Sequence, residues 1–267
     1  MLSPRSGYRK PTSAAELADG GAVNALALPD QAVIGLAGRR RVRYIRQMLT
    51  LTDVWPLFAL EITSPRLTMR IVRDEDIPGI VDAALAGIHD PAVMPFSVPW
   101  TDAPREQMTQ SMAQFQWSLR TGVRRDHWTL DFVILLDGVP IGTQSIGAGN
   151  FSLTRTVTSG SWLTREHHGK GYGKEMRAAI LLFAFDHLGA EIAESGATVW
   201  NQQSLGVSRS LGYQDNGLKR VPARAGETNE MLELRLDAAD FIRPEWDITV
   251  AGLEHARGQL FGAKTTA

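Results

Sequence analysis

Cysteine is absent from the 267 residues. That excludes disulfides, thiolate metal sites and thiol nucleophiles, and it is compatible with a reducing cytoplasm. No apolar run approaches the roughly 18 residues needed to span a bilayer, and the amino terminus lacks the charged-then-apolar pattern of a signal peptide. An excess of one charge is lacking too: 28 Lys and Arg stand against 29 Asp and Glu, which argues against nonspecific nucleic-acid binding. The sequence reads as a soluble cytoplasmic protein with no membrane partner, whose specificity comes from a local site. At 43% hydrophobic it can bury a sizeable core, enough for one enzyme-like domain with something extra.

Residues 1–53 differ in character from the rest, being rich in Ala, Gly and Arg and weakly periodic, with a cluster Arg39-Arg40-Arg41-Val42-Arg43. They read as an extension, a helical or disordered arm, and the cluster fits either a solvated surface or a patch for an acidic partner. A compact domain is expected over 54–243. The tail, 244–267, carries Ile248, Val250, Leu253, Leu260 and Phe261 and is expected to pack on the domain or on a second subunit of a homodimer.

From Arg66 the pattern is orderly. Arg66 to Val72 alternates as a half-buried strand, and a helix capped by Asp74 runs to about Ala86. A Pro-rich aromatic loop, Pro91 to Pro104, leads to a helix over about Arg105 to Arg120, with Met108, Met112, Phe115 and Leu119 as its apolar stripe. Asp137-Gly138 separates two strand-like runs, Thr129 to Leu136 and Pro140 to Ala148, which is a hairpin signal. A third strand, Thr156 to Leu163, completes a meander. Ala197 to Trp200 reads as a short strand, Asn201 caps a helix ending at Leu211-Gly212, and Tyr213 to Arg220 and Glu227 to Leu236 read as a closing hairpin.

Between the meander and the next helix stands His168-Gly169-Lys170-Gly171-Tyr172-Gly173-Lys174. Glycines at alternate positions let the backbone turn tightly and aim successive amides at one place, and the helix that starts there adds unpaired N–H groups and a positive dipole end. A phosphate or pyrophosphate fits such a cradle; a tight turn without ligand is the plainer alternative. The helix, about Tyr172 to Leu188, is apolar on nearly every side in its second half and is expected to be buried. Lys170, Lys174 and Arg177 fall at helical spacing, as a solvated flank or as cations neutralising a phosphate.

This order of elements, with the glycine run at the third strand-to-helix junction, resembles the GNAT superfamily of acyl-CoA-dependent N-acyltransferases, in its RimJ/RimL-like branch, over about Trp55 to Ile242. The family's acyl-CoA motif, Gln/Arg-x-x-Gly-x-Gly/Ala, reads here His168-Gly169-Lys170-Gly171-Tyr172-Gly173, with His in place of Gln or Arg. A second element, Asn-x-x-Ser followed by Leu-Gly-Tyr, is met by Asn201, Ser204 and Leu211-Gly212-Tyr213. The resemblance implies an α/β (α+β) GNAT fold: a mostly antiparallel mixed sheet of six to seven strands, splayed at the acyl-CoA site, with four flanking helices. It implies acetyl-CoA or another acyl-CoA as co-substrate and no metal. Leu163 and Thr164 would bind the pantetheine arm through their backbone, and the amides from His168 to Lys174 the pyrophosphate. Asn201 and Ser204 would flank the thioester.

The catalytic residues depart from the family pattern. The strand position where the family often has a Glu base is Thr158, and the place of its Tyr acid holds Ser208. Ser204 or Ser208 can donate to the sulfur, or either can be a plain helix-face hydroxyl. Asp131 is the candidate base, or a strand-end hydrogen-bond partner; His127, Glu166 and His167 are weaker ones. A weak base favours an acceptor that loses its proton readily. An α-amine of pKa about 8 is roughly 2.5 units easier to deprotonate than a lysine at about 10.4, a difference of about 3.5 kcal/mol. Phe96, Trp100 and Trp117 are the expected acceptor wall, or else a loop packed on the core. Three readings compete: a transferase acting on a primary amine of a small molecule or protein N-terminus, a catalytically silent acyl-CoA-binding module, and a nucleic-acid-associated regulator using the arginine cluster.

Overall fold

The structure, a computed structural model, describes residues 48–261, so the arginine cluster, the first 47 residues and the last six lie outside the described residues. In chain order the elements are α1 (Leu51–Val54), β1 (Glu61–Thr63), β2 (Thr68–Ile71), α2 (Ile77–Leu85), α3 (Arg105–Gly122), β3 (His127–Leu136), β4 (Val139–Gly149), α4 (Phe151–Thr154) and β5 (Thr156–Leu163). Then come α5 (Tyr172–Leu182), β6 (Ile192–Thr198), α6 (Gln202–Arg209), β7 (Gln214–Pro222), β8 (Thr228–Asp237), β9 (Thr249–Ala251) and α7 (Leu253–Phe261). Helix α5 continues as a π-helical turn, Phe183–Leu188, and ends at Gly189 with φ 75°.

One sheet holds all nine strands of the described residues in the order β7-β8-β6-β5-β4-β3-β2-β1-β9. Every neighbouring pair is antiparallel except β5 with β6. The α+β class is as expected, but the sheet has two more strands than the upper expectation: β1 and β9 are three residues each, too short for a periodic signal. The seven α-helices among the described residues exceed the expected four because α1 and α4 are single turns and α7 lies in the tail.

Asp137 and Gly138 take φ of 52° and 80°, the pair of left-handed residues that lets a two-residue turn follow the twist of β3 and β4. Along β3 successive side chains alternate between two cores. Phe132 and Ile134 enter the larger one, which buries the second half of α5, while Val133 and Leu135 meet Ile80 and Val81 of α2. The α3 stripe differs from expectation: Met108 and Gln116 are buried, and Phe115 is 55% exposed. Strand β6 begins five residues earlier than Ala197, and Val199 and Trp200 form a turn after it. Its pairing with β8 runs from Ile192↔Asp237 to Thr198↔Met231, so ladder hydrogen bonds extend a strand that Glu194, Ser195 and Gly196 disguise in sequence.

The chain after Pro244 returns to the same sheet. Val250 of β9 pairs with Ile62 of β1, and α7 buries Leu253, Ala256 and Leu260 in the larger core. Leu260→Ala is expected to cost about 2 to 5 kcal/mol, the usual cost of emptying a fully buried leucine site. Differential scanning calorimetry of the full chain checks this, and a loss below about 1 kcal/mol would mean that α7 is not docked.

Candidate active site

Strands β5 and β6 pair over three rows only, Thr156↔Ile192 to Thr158↔Glu194, and then part. Strand β5 stays on β4 while β6 follows β8. Thr164 donates its N–H to the Ile141 carbonyl at 2.8 Å. Counting back along the antiparallel ladder, Trp162 and Gly160 also face β4, and the backbone groups of Ser159, Ser161 and Leu163 face the fork. An extended chain can lie there as an added strand would.

The glycine run closes the open end of the fork beside β5. Gly169 and Gly171 take φ of 73° and 84°, conformations that a side chain resists. Gly171 caps α5 without a side-chain acceptor, so the first-turn amides of Tyr172, Gly173 and Lys174 have no intrahelical partner. The amides of Gly169 and Lys170 also carry no backbone partner among the described residues. His168 differs from expectation. Its N–H is used by the Arg165 carbonyl at 3.1 Å, and its ring Nε2 lies 3.0 Å from the Leu163 carbonyl oxygen, so it fastens the cradle to β5. Thr164 is likewise spent: its carbonyl accepts from His167 at 2.9 Å and its hydroxyl donates to the Ala83 carbonyl at 3.1 Å. It offers no backbone group to a ligand, whereas Leu163 keeps its N–H toward the fork.

Sequence reasoning missed the clamp behind the cradle. Buried Glu175 accepts from the Ser64 hydroxyl at 2.8 Å, the Arg66 amide at 2.8 Å and Arg66 Nε at 2.6 Å. Arg66 also donates to the Lys170 carbonyl at 3.1 Å and lies 4.5 Å from the centre of the Tyr172 ring. Charge-assisted bonds of this kind hold the β1–β2 turn against the cradle and fix its amides. The one available signal was Glu175, a single acid between the cations Lys174 and Arg177 at the foot of the helix. Beside the clamp opens a cavity of about 290 Å³, whose lining includes Lys174, Leu211 and Trp246.

The expected flank of three cations does not form. Lys170 and Lys174 are exposed at the cradle, but Arg177 is only 5% exposed. Its guanidinium spans the fork, donating to Ser195 of β6 at 3.0 Å and to Ser161 of β5 at 3.3 Å.

Helix α6 starts at the other side of the open end. The Asn201 side chain accepts from the Ser204 amide at 3.1 Å, a helix cap that explains why Asn precedes this helix. Ser204 is half-buried, and Ser208, one turn further on the same face, is buried. The Ser208 carbonyl accepts the Leu211 and Tyr213 amides, so this residue terminates the helix inside the fold.

On the opposite face of the sheet Phe96 and Trp100 stack at 5.3 Å, and Trp100 lies 6.0 Å from Trp162 of β5. These rings pack on the apolar cluster of Ala84, Ile88 and Met108. Arg224, between β7 and β8, donates to Asp102 at 2.7 Å and to the Pro91 carbonyl at 2.7 Å, tying that hairpin to the aromatic loop and holding the Asp102 carboxyl below its usual range. Trp117 is elsewhere: it is 49% exposed and donates to Asp74 at 3.0 Å. It stands nine residues along α3 from Met108, about 13 Å at helical rise, and does not line the aromatic wall.

Asp131 sits in the middle of β3, not at its head, in one row with Ser145 of β4 and Gly160 of β5. It is buried, and Gln116 Nε2 donates to it at 2.7 Å. Burial pushes its pKa up to about 6 against the opposing hydrogen bonds of Gln116 and Thr143. His127 is exposed and pairs with Gly149, beyond the rows where β5 and β6 part. Glu166 is exposed and lies 3.1 Å from His167. Among the described residues no group of three His, Asp or Glu side chains is placed to hold a metal, and no helix is long and apolar enough to cross a membrane.

The family described as "Acetyltransferase (GNAT) domain" matches residues 66–214, a span running from the clamp through the fork and cradle to the start of β7. The chain belongs to the GNAT acetyltransferase family. Among solved structures the GNAT fold is shared with RimJ of Mycobacterium smegmatis in complex with a CoA disulfide, at 20% identity and a TM-score of 0.56, covering 77% of this chain and 96% of that one. A RimL ribosomal alpha-N-protein acetyltransferase in complex with coenzyme A is similar at 15% identity and a TM-score of 0.55, covering 66% and 97%. A GNAT-family acetyltransferase from Bacillus anthracis matches at 17% identity and a TM-score of 0.52, covering 67% and 99%.

Proposed function

We propose that this protein is an N-acyltransferase that moves an acetyl or related acyl group from coenzyme A to a primary amine. The observation that carries the reading is the placement of the cradle of unpartnered amides, Gly169 to Lys174, at the open end of a fork whose β5 edge has free backbone groups. The residues fit the ligand's chemistry: the amides and α5 dipole suit a pyrophosphate, Leu163 and the β5 edge suit an amide-bearing arm, and the cavity by Lys174 and Trp246 suits a nucleotide. The coenzyme A in the RimJ and RimL structures supports this assignment. Bound acyl-CoA supplies an activated carbonyl and a thiolate leaving group.

The chain's own residues then have three tasks. Gly169, Lys170, Gly171, Tyr172, Gly173 and Lys174 hold the diphosphate, with His168 and Glu175 keeping their amides in place. Ser204, at the amino end of α6, donates its hydroxyl proton to the departing sulfur, and buried Ser208 supports the helix. Asp131 is, among the described residues, the one buried carboxylate on a strand of the sheet, two strand spacings or about 10 Å from Gly160, and it takes the amine's proton through a relay of water. The amine loses one proton as the C–N bond forms, and the sulfur gains one as the C–S bond breaks. Phe96 and Trp100 wall the acceptor's approach. The name of the RimL relative supports an α-amine of a protein as acceptor, in keeping with a base of modest strength.

Titration calorimetry of the full chain with coenzyme A, followed by thiol release from acetyl-CoA over a panel of amines, tests the reading. Saturable binding and faster turnover of α-amines than of ε-amines are expected. Binding with no turnover on any amine or acyl donor would leave a silent acyl-CoA-binding module, and no binding would end the acyl-CoA reading.

A further inference from the structure

Arg177 brings a positive charge into the fork that no side chain among the described residues balances. Its residue is 5% exposed and its two hydrogen bonds go to neutral serine hydroxyls. Its Nε–H has no partner, and neither has the hydroxyl of Ser159 on the same strand face. No carboxylate among the described residues lies within ion-pair distance of it. A buried guanidinium without a counter-charge is strongly disfavoured, and buried donors are as a rule paired. Its surroundings are neutral: Ser161 and Ser195 accept from Arg177, and Ser195 donates to the Ser159 carbonyl.

Arg177 lies six residues along α5 from Gly171, about 9 Å at helical rise, and its guanidinium is turned to Ser161 and Ser195 rather than to the cradle amides. An arm that enters at the cradle and follows β5 toward Thr158 has its far end at Ser161 and Ser159, where this guanidinium lies. We propose that Arg177 reads a carboxylate at the end of the acyl chain, making the preferred donors thioesters of dicarboxylic acids such as malonyl-, succinyl- or glutaryl-CoA. This rests on the acyl-CoA reading above and names its substrate class.

The test is calorimetric titration of the full chain, without acceptor, using coenzyme A, butyryl-CoA and the three dicarboxylic thioesters, on the parent and on Arg177→Met. At least one dicarboxylic thioester is expected to bind the parent tenfold or more tighter than butyryl-CoA, as a charge-assisted bond to a carboxylate supplies. In Arg177→Met that ratio is expected to fall within about twofold, with coenzyme A affinity changed less than about threefold and a melting temperature no lower than the parent's, since methionine removes an unpaired buried charge. A purely structural arginine would instead lower the melting temperature and leave the ratio intact, overturning the proposal. Equal affinities for butyryl- and dicarboxylic thioesters in the parent would also overturn it. In that case faster turnover of amino acids than of their amides assigns Arg177 to an acceptor carboxylate. Failure of the parent to bind coenzyme A would remove the acyl-CoA reading itself, a distinct result. If Arg177→Met does not fold, the parent's ratio decides, supported by Ser161→Ala, which is expected to reduce that ratio about threefold.

Discussion

Gly171→Val is expected to lose coenzyme A affinity by more than 100-fold in titration calorimetry of the full chain. Gly171 caps α5 at φ 84°, where a β-branched residue is strained by about 1 to 2 kcal/mol. An added Cβ would also stand 3.2 Å from the Arg66 guanidinium, and the valine methyls extend further into the clamp that fixes the Lys170 carbonyl. Relief requires the cap to leave the left-handed region, which turns the amides of Gly171 and Tyr172 away from a common point. Hydrogen bonds to a charged group are worth about 1.5 to 3 kcal/mol each, so two misdirected donors suffice for a 100-fold loss. Gly173→Ala is the control. Its Cβ meets only Leu163 at 3.8 Å, an ordinary contact, and affinity within about threefold of the parent is expected. A Gly171→Val protein that keeps its fold by circular dichroism and binds as the parent does would remove the cradle assignment; equal losses in both variants would place the effect in helix packing.

The parts of this site that depend on backbone conformation were legible in the sequence, because few residue types serve them. Alternating glycines before an apolar run, Asp137-Gly138 between two strands, and Asn201 ahead of α6 each mark a local geometry with a short list of solutions. The edge strands β1 and β9 were not legible, since three residues carry no period and their pairing is decided by chain returning from almost 200 positions away. Arg177 shows a different limit. Its spacing from Lys170 and Lys174 looks like one solvated flank, but α5 begins only at Tyr172, so helical geometry does not relate Lys170 to the others. The direction in which Arg177 points is set by the parting of β5 and β6, a tertiary feature. Trp117 failed likewise: its distance in sequence from Phe96 and Trp100 says nothing of which face of α3 meets the sheet. Met108 and buried Gln116 take that face instead.

Gln116 leads to the second large effect. Asp131→Asn is expected to raise stability at pH 8 by about 2 to 3 kcal/mol and to leave it unchanged near pH 3. The sign follows from the raised pKa. Unfolded, the carboxyl titrates at about 3.8, whereas in the fold burial moves it to about 6. Between those values the folded chain holds a proton that the unfolded chain has lost, so stability is full below about 3.8, declines as the pH rises, and is lost once the pH passes about 6. Roughly two pH units correspond to about 3 kcal/mol, which an uncharged asparagine of the same shape does not forfeit. Thermal melts at several pH values check this, with a gain at pH 8 of about 4 to 10 °C expected for a chain of this size. Equal melting temperatures at pH 8 would mean that the carboxylate is not penalised by its surroundings. Keeping a costly charge in the row that leads through Ser145 to Gly160 makes sense if the charged form is needed. The parent's kcat/KM is then expected to rise with pH through about 6, and Asp131→Asn to lose 100-fold or more of rate, the usual share of a general base. A variant that is more stable yet equally fast would assign the buried carboxylate to the fold alone and leave the amine's proton to water.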